Sequence, residues 1–354
     1  MSSILITGGS GFVGSNLCIQ LKALNPSYEI IALDNLRRRG SELNLIRLKE
    51  SGVKFIHGDI RNPEDFSEIE KIDFIIDASA DPSVLSGINS EVYPLLNTNL
   101  IGSIHLLEFA IKQQAKLIFL STSRVYPVRT IESLDYEEKE TRFSWTDSQQ
   151  VNGVSSWGLT EDFPLKGSRS FYGATKLATE LLIEEYIEFK GLKAIINRCG
   201  VLSGPWQMGK IDQGVLLLWL SRHYFKGELS YIGYGGTGKQ TRDVLHIDDL
   251  VELINLQIRE FELFSGELFN VGGSKNISFS LMELTEICQR ITGNKISIYP
   301  QLKNRSADLR IYMGDNTKIT RKCGWEPSRT VERIVYDSFE WLKTHEKTVK
   351  TIFE

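Results

Sequence analysis

Short apolar runs rich in β-branched residues alternate with amphipathic stretches along the first two hundred residues. The runs are continuous, which is typical of parallel strands covered on both faces. The predicted strands are SILIT, EIIALD, VKFIHGD, KIDFIIDAS, AKLIFLSTS and LKAIINR. The predicted helices are GFVGSNLCIQLKAL, SELNLIRLKESG, LLNTNLIGSIHLLEFAIKQQ and FYGATKLATELLIEEYIEFKG. This order predicts an α/β fold with a doubly wound parallel sheet.

The regular order breaks at two places. Residues 126–168 are polar, with the acidic run DYEEKE, and we expect a long functional loop over the carboxyl edge of the sheet. Beyond residue 200 the pattern becomes irregular, with a glycine-rich turn region, YIGYGGTGKQTRD, and two helices, LMELTEICQRITG and VERIVYDSFEWLK. We predict a first domain at 1–200, to which 235–275 partly return through RDVLH and LFNVGG, and a smaller C-terminal domain at 201–354.

Composition narrows the class of protein. The chain has 354 residues, 41% of them hydrophobic, which suits one large domain with a smaller one. The sequence contains no run of eighteen apolar residues, so we expect no membrane helix. The N-terminus does not resemble a signal peptide. The four cysteines are far apart and form no CxxC pair, which favours reduced thiols and no metal site. The formal net charge of -4 argues against nucleic acid as a partner. The scattered cysteines and the lack of a predicted signal peptide or membrane helix lead us to expect a cytoplasmic protein that does not bind membranes.

Three glycines separate the first strand from the first helix. Gly8, Gly11 and Gly14 are spaced G-x-x-G-x-x-G, which permits a tight turn, close approach of a pyrophosphate and close packing of the helix. The N–H groups of Phe12 and Val13, at the positive end of the helix dipole, would donate to the phosphates. The pattern therefore predicts a dinucleotide site, with a tight turn that holds no ligand as the alternative.

Two strand ends refine the predicted cofactor. Asp34 closes the second strand, where a carboxylate accepts hydrogen bonds from a ribose diol and repels a 2′-phosphate, so we predict NAD rather than NADP. The arginines at 37–39 could neutralise a 2′-phosphate, although a solvated turn also explains them. After the third strand, Asp59 and Ile60 are placed to meet the adenine. Asp59 could instead cap a helix.

A tyrosine and a lysine lie four residues apart in the predicted helix FYGATKLATELL. Tyr172 and Lys176 would share one face, where an ammonium favours the phenolate that can take a proton from a substrate hydroxyl. Such pairs also occur by chance in helices. The strand end FLSTS supplies hydroxyls at Ser121, Thr122 and Ser123, one of which can align the reacting oxygen, unless they only cap the loop.

Taken together, these segments resemble a known family. The segments TGGSGFVG, DNL, HGDIRN, STSRVY, YGATK and RDVLH resemble those of the extended short-chain dehydrogenase/reductase superfamily. Within it the chain resembles the sugar-nucleotide epimerases, most closely the CDP-tyvelose (CDP-paratose) 2-epimerases. The segments that carry this closer resemblance are NRCGVLSGPWQMGKIDQG, GTGKQTRDVLH and ADLRIYMGDNTKI.

The resemblance implies a Rossmann-type NAD-binding domain and a smaller substrate-binding domain. It assigns catalysis to Thr122, Tyr172 and Lys176, with the last two also contacting NAD. It assigns the nucleotide-diphosphate sugar, with a CDP-sugar favoured, to Asp212, Gln213, Arg242 and Arg310. Surface ion pairs are the alternative explanation for the two arginines. It implies further cofactor contacts at Asn35, Ala78, Ser79, Ala80, Asn99, Ser121 and Cys199. It also implies a homodimer or homotetramer formed through the helices at 85–113 and 170–190.

Two departures from relatives bear on the reaction. Asp77 stands where relatives often have a histidine, which leaves that cofactor contact open. Dehydratase relatives carry an Asp-Glu pair directly after the catalytic threonine, whereas this chain has Ser123 and Arg124. No carboxylate there can protonate a leaving hydroxide, which favours epimerisation over 4,6-dehydration.

We therefore expect an isomerase that inverts one sugar carbon through transient oxidation to a ketosugar. The resemblance to CDP-tyvelose 2-epimerases also implies a part in lipopolysaccharide O-antigen biosynthesis. The alternatives are a UDP-hexose 4-epimerase, a non-catalytic NAD-binding regulatory protein and a reductase that consumes NAD(P)H.

Overall fold

The computed structural model describes residues 2–209 and 214–353. Its strands are β1 Ser3–Thr7, β2 Glu29–Asp34, β3 Lys54–His57, β4 Phe74–Asp77, β5 Lys116–Thr122, β6 Tyr136–Glu138, β7 Phe143–Trp145, β8 Ala194–Cys199, β9 Val201–Ser203, β10 Leu229–Ile232, β11 Thr241–His246, β12 Leu268–Val271, β13 Ser278–Ser280, β14 Ile298–Gln301 and β15 Ile311–Tyr312. Its α-helices are α1 Phe12–Leu24, α2 Asn44–Glu50, α3 Tyr93–Leu96, α4 Gly102–Gln113, α5 Val128–Glu132, α6 Phe171–Lys190, α7 Val215–Tyr224, α8 Ile247–Arg259, α9 Phe261–Phe264, α10 Leu281–Thr292, α11 Thr317–Cys323, α12 Val331–Thr344 and α13 Glu346–Phe353.

The largest element of the fold is a seven-stranded parallel sheet in the order β12-β8-β5-β4-β1-β2-β3. The register pairs Ile4 with Ile30 on one side and with Phe74 on the other. Strand order reverses between β1 and β4, and in such sheets ligands bind at the carboxyl ends beside the reversal. The predicted doubly wound α/β fold is confirmed.

The core of this sheet explains its continuous apolar strands. Leu5, Ile75, Leu117 and Ile196 are almost completely buried, together with helix residues such as Ile183 of α6. A strand covered by helices on both faces needs apolar side chains at successive positions, not at alternate ones.

The chain divides into two compact units. The first comprises Met1–Thr122, Phe171–Arg198 and Leu250–Leu268. The second comprises Ser123–Ser170, Cys199–Asp249 and Phe269–Glu354. The predicted domain boundary at residue 200 lies close to the passage between Arg198 and Cys199. The predicted first domain, however, also included 123–170, which belong to the second unit.

The second unit contains smaller sheets. Its four-stranded sheet is centred on β11, which pairs with β13 antiparallel and with β15 and β9 in parallel. RDVLH lies in β11, so the prediction that it returns to the main sheet is wrong, whereas LFNVGG enters the main sheet as β12. The apolar residues Val244 and Leu245 within RDVLH favour a buried strand, but they do not specify which strands are its partners.

Residues 126–168, predicted as a loop, contain regular structure. Helix α5 is followed by the antiparallel hairpin of β6 and β7, which pairs Tyr136 with Trp145 and Glu138 with Phe143. β6 is exposed throughout, so it lacks the apolar run by which the longer strands were recognised.

Candidate active site

The glycine-rich turn between β1 and α1 has no room for side chains. Gly8 has a φ of +63°, and its carbonyl accepts the N–H of Gly11 at 3.0 Å. A Cβ on Gly14 would lie 2.1 Å from the oxygen of Gly8. Because α1 begins at Phe12, the first-turn N–H groups, including that of Val13, point toward the turn and lack intrahelical acceptors. This cradle fits a pyrophosphate, as the sequence predicts.

Substituting Gly14 by alanine is expected to weaken NAD binding by at least about tenfold and to destabilise the protein by roughly 1–3 kcal/mol, because the methyl group overlaps backbone atoms. NAD binding by calorimetry and thermal unfolding measure the two effects. Gly191→Ala is the control, since it imposes backbone strain at a φ of +67° but meets no atom within 4 Å. Retained NAD affinity in Gly14→Ala would show that the turn can relax.

Asp34 is fixed at the end of β2 by backbone donors. Its carboxylate accepts the N–H of Ser10 at 3.1 Å and that of Leu36 at 2.8 Å. Burial raises the pKa of Asp34, and these hydrogen bonds oppose the rise. The carboxylate therefore lies beside the phosphate turn, where the ribose of a dinucleotide is expected.

Asp59 lies at the neighbouring strand end, beyond β3. Although burial opposes ionisation, hydrogen bonds from Arg61 and Asn35 lower the pKa of Asp59 to about 2. Arg61 donates at 2.9 and 2.5 Å, and Nδ2 of Asn35 donates at 2.8 Å. Ile60 is buried in the core, whereas the side chain of Asp59 is 20% exposed. Arg61 is a neighbour that the sequence analysis did not single out.

The turn after β4 contains Ala78, Ser79 and Ala80. It is held by Asp77, whose Oδ1 accepts Thr7 Oγ1 at 2.8 Å and the N–H of Ser79 at 3.0 Å. The oxygen of Ala78 would lie 2.7 Å from a Cβ on Gly8, so this turn directly adjoins the phosphate turn. Asp77, which stands where relatives often have a histidine, thus joins the ends of two neighbouring strands.

Asn99 holds Asp81, the residue that follows the turn of Ala78, Ser79 and Ala80. It lies in a π-helical turn, Asn97–Ile101, between α3 and α4. Its amide accepts the N–H of Asp81 at 2.7 Å and donates to the Asp81 oxygen at 3.0 Å, and it also donates to Oγ1 of Thr175 at 3.3 Å. Asn99 therefore connects the predicted cofactor turn to α6, one residue before Lys176.

The three predicted catalytic residues come from β5 and α6. Thr122 ends β5, and Tyr172 and Lys176 lie on α6, with exposed fractions of 7%, 9% and 3%. Alanine, leucine, glutamate and lysine favour helix in this segment, and the spacing of four puts Tyr172 and Lys176 on one face. Nζ of Lys176 lies 4.4 Å from the centroid of the Phe119 ring on β5. The buried face of α6 thus packs beside the strand that ends in Thr122.

A buried ion pair continues the same helix face. Glu180, four residues after Lys176, accepts hydrogen bonds from Arg198 of β8 at 2.7 and 3.1 Å. Ser121 donates its Oγ to the same carboxylate. Glu180 and Arg198 are 1% and 4% exposed. The network joins β5, α6 and β8, so Ser121, a predicted cofactor contact, directs its hydroxyl to Glu180. The sequence does contain a signal for this network, because Glu180 follows Lys176 by four residues, just as Lys176 follows Tyr172.

The predicted substrate arginines lie in the second unit. Arg242 of β11 contacts Asp308 at 2.8 Å, and NH1 of Arg310 lies 3.4 Å from Glu132. Arg242 also donates to the Arg310 oxygen at 3.4 Å, so the two arginines share one local network. Each guanidinium therefore has an internal carboxylate partner.

Asp243, next to Arg242, is a buried acid that the sequence analysis did not single out. It accepts the N–H of Gly314 at 3.1 Å, and burial raises its pKa to about 7. A Cβ on Gly272 would lie 2.4 Å from its Oδ2. Close approach of glycine backbone thus encloses the carboxylate and fixes the strand that carries Arg242.

Three predicted contacts remain. Cys199 is buried at the end of β8. Asp212 and Gln213 lie outside the described residues. Across 2–209 and 214–353, no group of three or more histidine, cysteine, aspartate or glutamate side chains could hold a metal ion. Among the helices in those ranges, none has the length and apolar character needed to cross a membrane.

Comparison with known proteins adds independent information. The model of the NAD-dependent epimerase/dehydratase family matches residues 4–272. CDP-paratose 2-epimerase from Salmonella typhi is 31% identical over 351 residues, which cover 96% of this chain and 99% of that protein.

Solved structures are similar over almost the whole chain. UDP-glucose 4-epimerase from Thermotoga maritima, solved with UDP-glucose, has a TM-score of 0.75 at 27% identity, covering 97% of this chain and 99% of its own. dTDP-glucose 4,6-dehydratase from Streptomyces venezuelae, solved with NAD bound, has a TM-score of 0.79 at 25% identity, covering 99% of both chains.

Proposed function

The chain belongs to the NAD-dependent epimerase/dehydratase family, and from this premise we propose that it is a nucleotide-sugar epimerase similar to CDP-paratose 2-epimerase. It would be an isomerase that inverts one sugar carbon through a transient ketosugar. The observation that carries the proposal is the buried face of α6, where Tyr172 and Lys176 pack beside the β5 strand that ends in Thr122.

The family's cofactor is NAD, and the first unit fits it. The turn of Gly8, Gly11 and Gly14 would hold the pyrophosphate, and Asp34 would accept the ribose hydroxyls. Lys176 would hold the nicotinamide ribose. When bound, NAD supplies a nicotinamide ring that accepts a hydride from a sugar carbon and later returns it.

The proton chemistry belongs to the side chains of β5 and α6. Tyr172 would take the proton of a sugar hydroxyl, and Thr122 would hydrogen-bond the same oxygen. The ammonium of Lys176 favours the charged form of a phenol close to it. The same phenol would return the proton when the alcohol re-forms.

The substrate would be held by its diphosphate. Arg242 and Arg310 present planar guanidinium groups suited to phosphate oxygens, and a diphosphate would replace or join Asp308 and Glu132 as their anionic partners. A ketosugar anchored only by the diphosphate can present its other face for reduction, which is what inversion requires.

The residues after Thr122 favour epimerisation over dehydration. Ser123 and Arg124 follow it, and Arg124 donates to the Ala307 oxygen at 3.2 Å. An arginine is always protonated and cannot exchange a proton with a leaving hydroxide. Dehydration would therefore lack its acid at this position.

A UDP-hexose 4-epimerase is the second candidate, favoured by the likeness to the Thermotoga maritima enzyme. A non-catalytic NAD-binding regulator would have no need for Tyr172 and Lys176. A reductase would consume NADH stoichiometrically.

A CDP-sugar product would suit lipopolysaccharide O-antigen biosynthesis, and we propose that the enzyme acts in the cytoplasm.

A substrate panel tests the proposal. The purified protein with NAD is incubated with CDP-paratose, CDP-tyvelose, UDP-glucose, UDP-galactose and dTDP-glucose, and products are followed by NMR. We expect inversion at C2 of the CDP-sugars, without net NADH and without loss of water. Inversion at C4 of the UDP-sugars would select the second candidate. No conversion of any sugar would reject both.

We propose a homodimer or homotetramer formed through the helical segments 85–113 and 170–190. Large apolar side chains are exposed on these segments, namely Tyr93, Leu96, Ile101, Leu181 and Phe189. Apolar side chains exposed on these helical segments are available to pack against a second copy of the chain. Sedimentation analysis of the purified protein measures the oligomeric state.

A further inference from the structure

The hairpin β6–β7 places aromatic rings around one of the two proposed diphosphate-binding arginines. We propose that Tyr136 is a positioning residue that fixes the guanidinium of Arg310 for the diphosphate, and that the hairpin exists to present it. This inference rests on the diphosphate role proposed above for Arg310.

Three aromatic residues surround the Arg310 guanidinium. Its Cζ lies 4.0 Å from the ring centroid of Tyr136, 5.2 Å from that of Tyr234 and 5.8 Å from that of Phe143. A guanidinium close to aromatic rings gains cation–π attraction through its faces, which leaves its N–H donors, at the edge of the plane, for oxygen ligands. The rings therefore restrict the orientation of the group without using its hydrogen bonds.

Glu132 restricts the same arginine from another direction. Its Oε1 accepts the backbone N–H of Arg310 at 2.5 Å, and its Oε2 lies 3.4 Å from NH1. Arg310 is thus fixed at its backbone and at one edge of its guanidinium, and Tyr136 covers it at the closest ring distance. A preorganised donor loses less conformational entropy when a ligand binds.

The hairpin is fastened by polar contacts at its turn. Arg142 donates to Glu283 at 2.8 Å and to Oγ of Ser278 at 2.9 Å, and Oγ1 of Thr141 donates to Glu283 at 2.7 Å. Burial opposes ionisation of Glu283, but these contacts and the N–H of Ser280 lower its pKa. Glu283 also closes the cap of α10, so the turn of the hairpin is attached to a helix terminus.

A second attachment leads to β11. Phe143 donates its N–H to the Lys239 oxygen at 2.9 Å and accepts Oγ1 of Thr241 at 2.7 Å. Thr241 immediately precedes Arg242. The hairpin is therefore fixed to the strand that carries the second arginine, while its Tyr136 covers the first.

The hairpin contributes to the apolar core through β7, where Phe143 clusters with Ile311 and Met313. All of β6 is exposed, Tyr136 to 42%, and Phe143 is the buried residue of β7. A two-stranded hairpin alone is marginally stable. Because Tyr136 is exposed, the position of its ring depends on these anchors and on Phe143, whose ring it meets edge to face with the centroids 5.6 Å apart.

Nucleotide binding to variants tests the proposal. Calorimetry is run with CDP and CMP, or with UDP and UMP if wild-type protein prefers UDP. Tyr136→Leu is expected to weaken diphosphate binding about two- to fivefold, the size of an exposed cation–π contact, and to leave monophosphate binding within about twofold. Tyr136→Phe keeps the ring face and is expected to restore diphosphate affinity. With substrate, Tyr136→Leu raises KM by the same factor at nearly constant kcat.

Two further variants separate the possible failures. Tyr336→Leu removes a tyrosine of similar exposure, 50%, on α12 and controls for the substitution itself. Arg310→Leu is expected to weaken diphosphate binding by at least about tenfold. If Arg310→Leu has this effect and Tyr136→Leu has none, the inference fails while the proposed role of Arg310 stands. If neither variant has an effect, the proposed role of Arg310 in diphosphate binding fails, and the inference about Tyr136 fails with it. Equal losses for diphosphate and monophosphate would place Tyr136 against the nucleoside and overturn the inference.

Discussion

Tyr172→Phe is expected to lower kcat by about 10²–10⁴-fold while NAD and nucleotide binding remain within about twofold of wild type. The ring that packs in the buried face of α6 is retained, and only the hydroxyl that would take the proton is lost. Product formation by NMR measures turnover, and calorimetry measures binding.

Tyr186→Phe is the matched control, because Tyr186 lies on the same helix and its hydroxyl donates to Glu108, outside the proposed chemistry. We expect this variant to turn over like wild type. Full activity in Tyr172→Phe would remove the basis of the proposed mechanism, whereas equal losses in both variants would point to damage to the helix.

Arg198→Met is expected to destabilise the first unit by about 3–5 kcal/mol, because it leaves the carboxylate of Glu180 buried without its cation. Urea unfolding monitored by circular dichroism measures the change. Because the chain contains two compact units, each transition in the unfolding curve is fitted separately. Activity should fall as well, because the network holds the strand end of Thr122 beside α6.

A second substitution shows whether the unpaired charge is the cause. The double variant Glu180→Leu with Arg198→Met is expected to be more stable than Arg198→Met alone, since no charge remains unpaired. Arg333→Met breaks a pair on α12 in which the arginine is 62% exposed and Asp337 is 19% exposed, and it is expected to cost no more than about 0.5 kcal/mol. A similar loss from Arg333→Met and Arg198→Met would contradict the argument from burial.

Local patterns were sufficient for the main sheet and for the tight glycine turn between β1 and α1. The continuous apolar runs predict strands that the structure places within a few residues of the expected bounds, because burial on both faces leaves a strong signal in each run. The spacing of Gly8, Gly11 and Gly14 has a local steric cause, which the close contact between Gly14 and Gly8 illustrates.

Pairings between distant segments were not available from local patterns. RDVLH could be identified as a strand, but its partners β9, β13 and β15 come from residues far apart in the chain. Ser121 could be identified as a strand-end hydroxyl, but its bond to Glu180 depends on the packing of α6 against β5. The short hairpin in 126–168 was missed because contacts with α10 and β11 hold it, and its strands are too short for a recognisable period.

Thr122 is the last residue of the first unit before the chain leaves it, and Phe171 is the first on its return. The threonine and tyrosine of the proposed mechanism therefore flank an excursion, residues 123–170, that folds with the other unit. The entropy of closing such an excursion changes slowly with its length. A change in the length of this stretch would therefore leave Thr122 on β5 and Tyr172 on α6, both within the first unit.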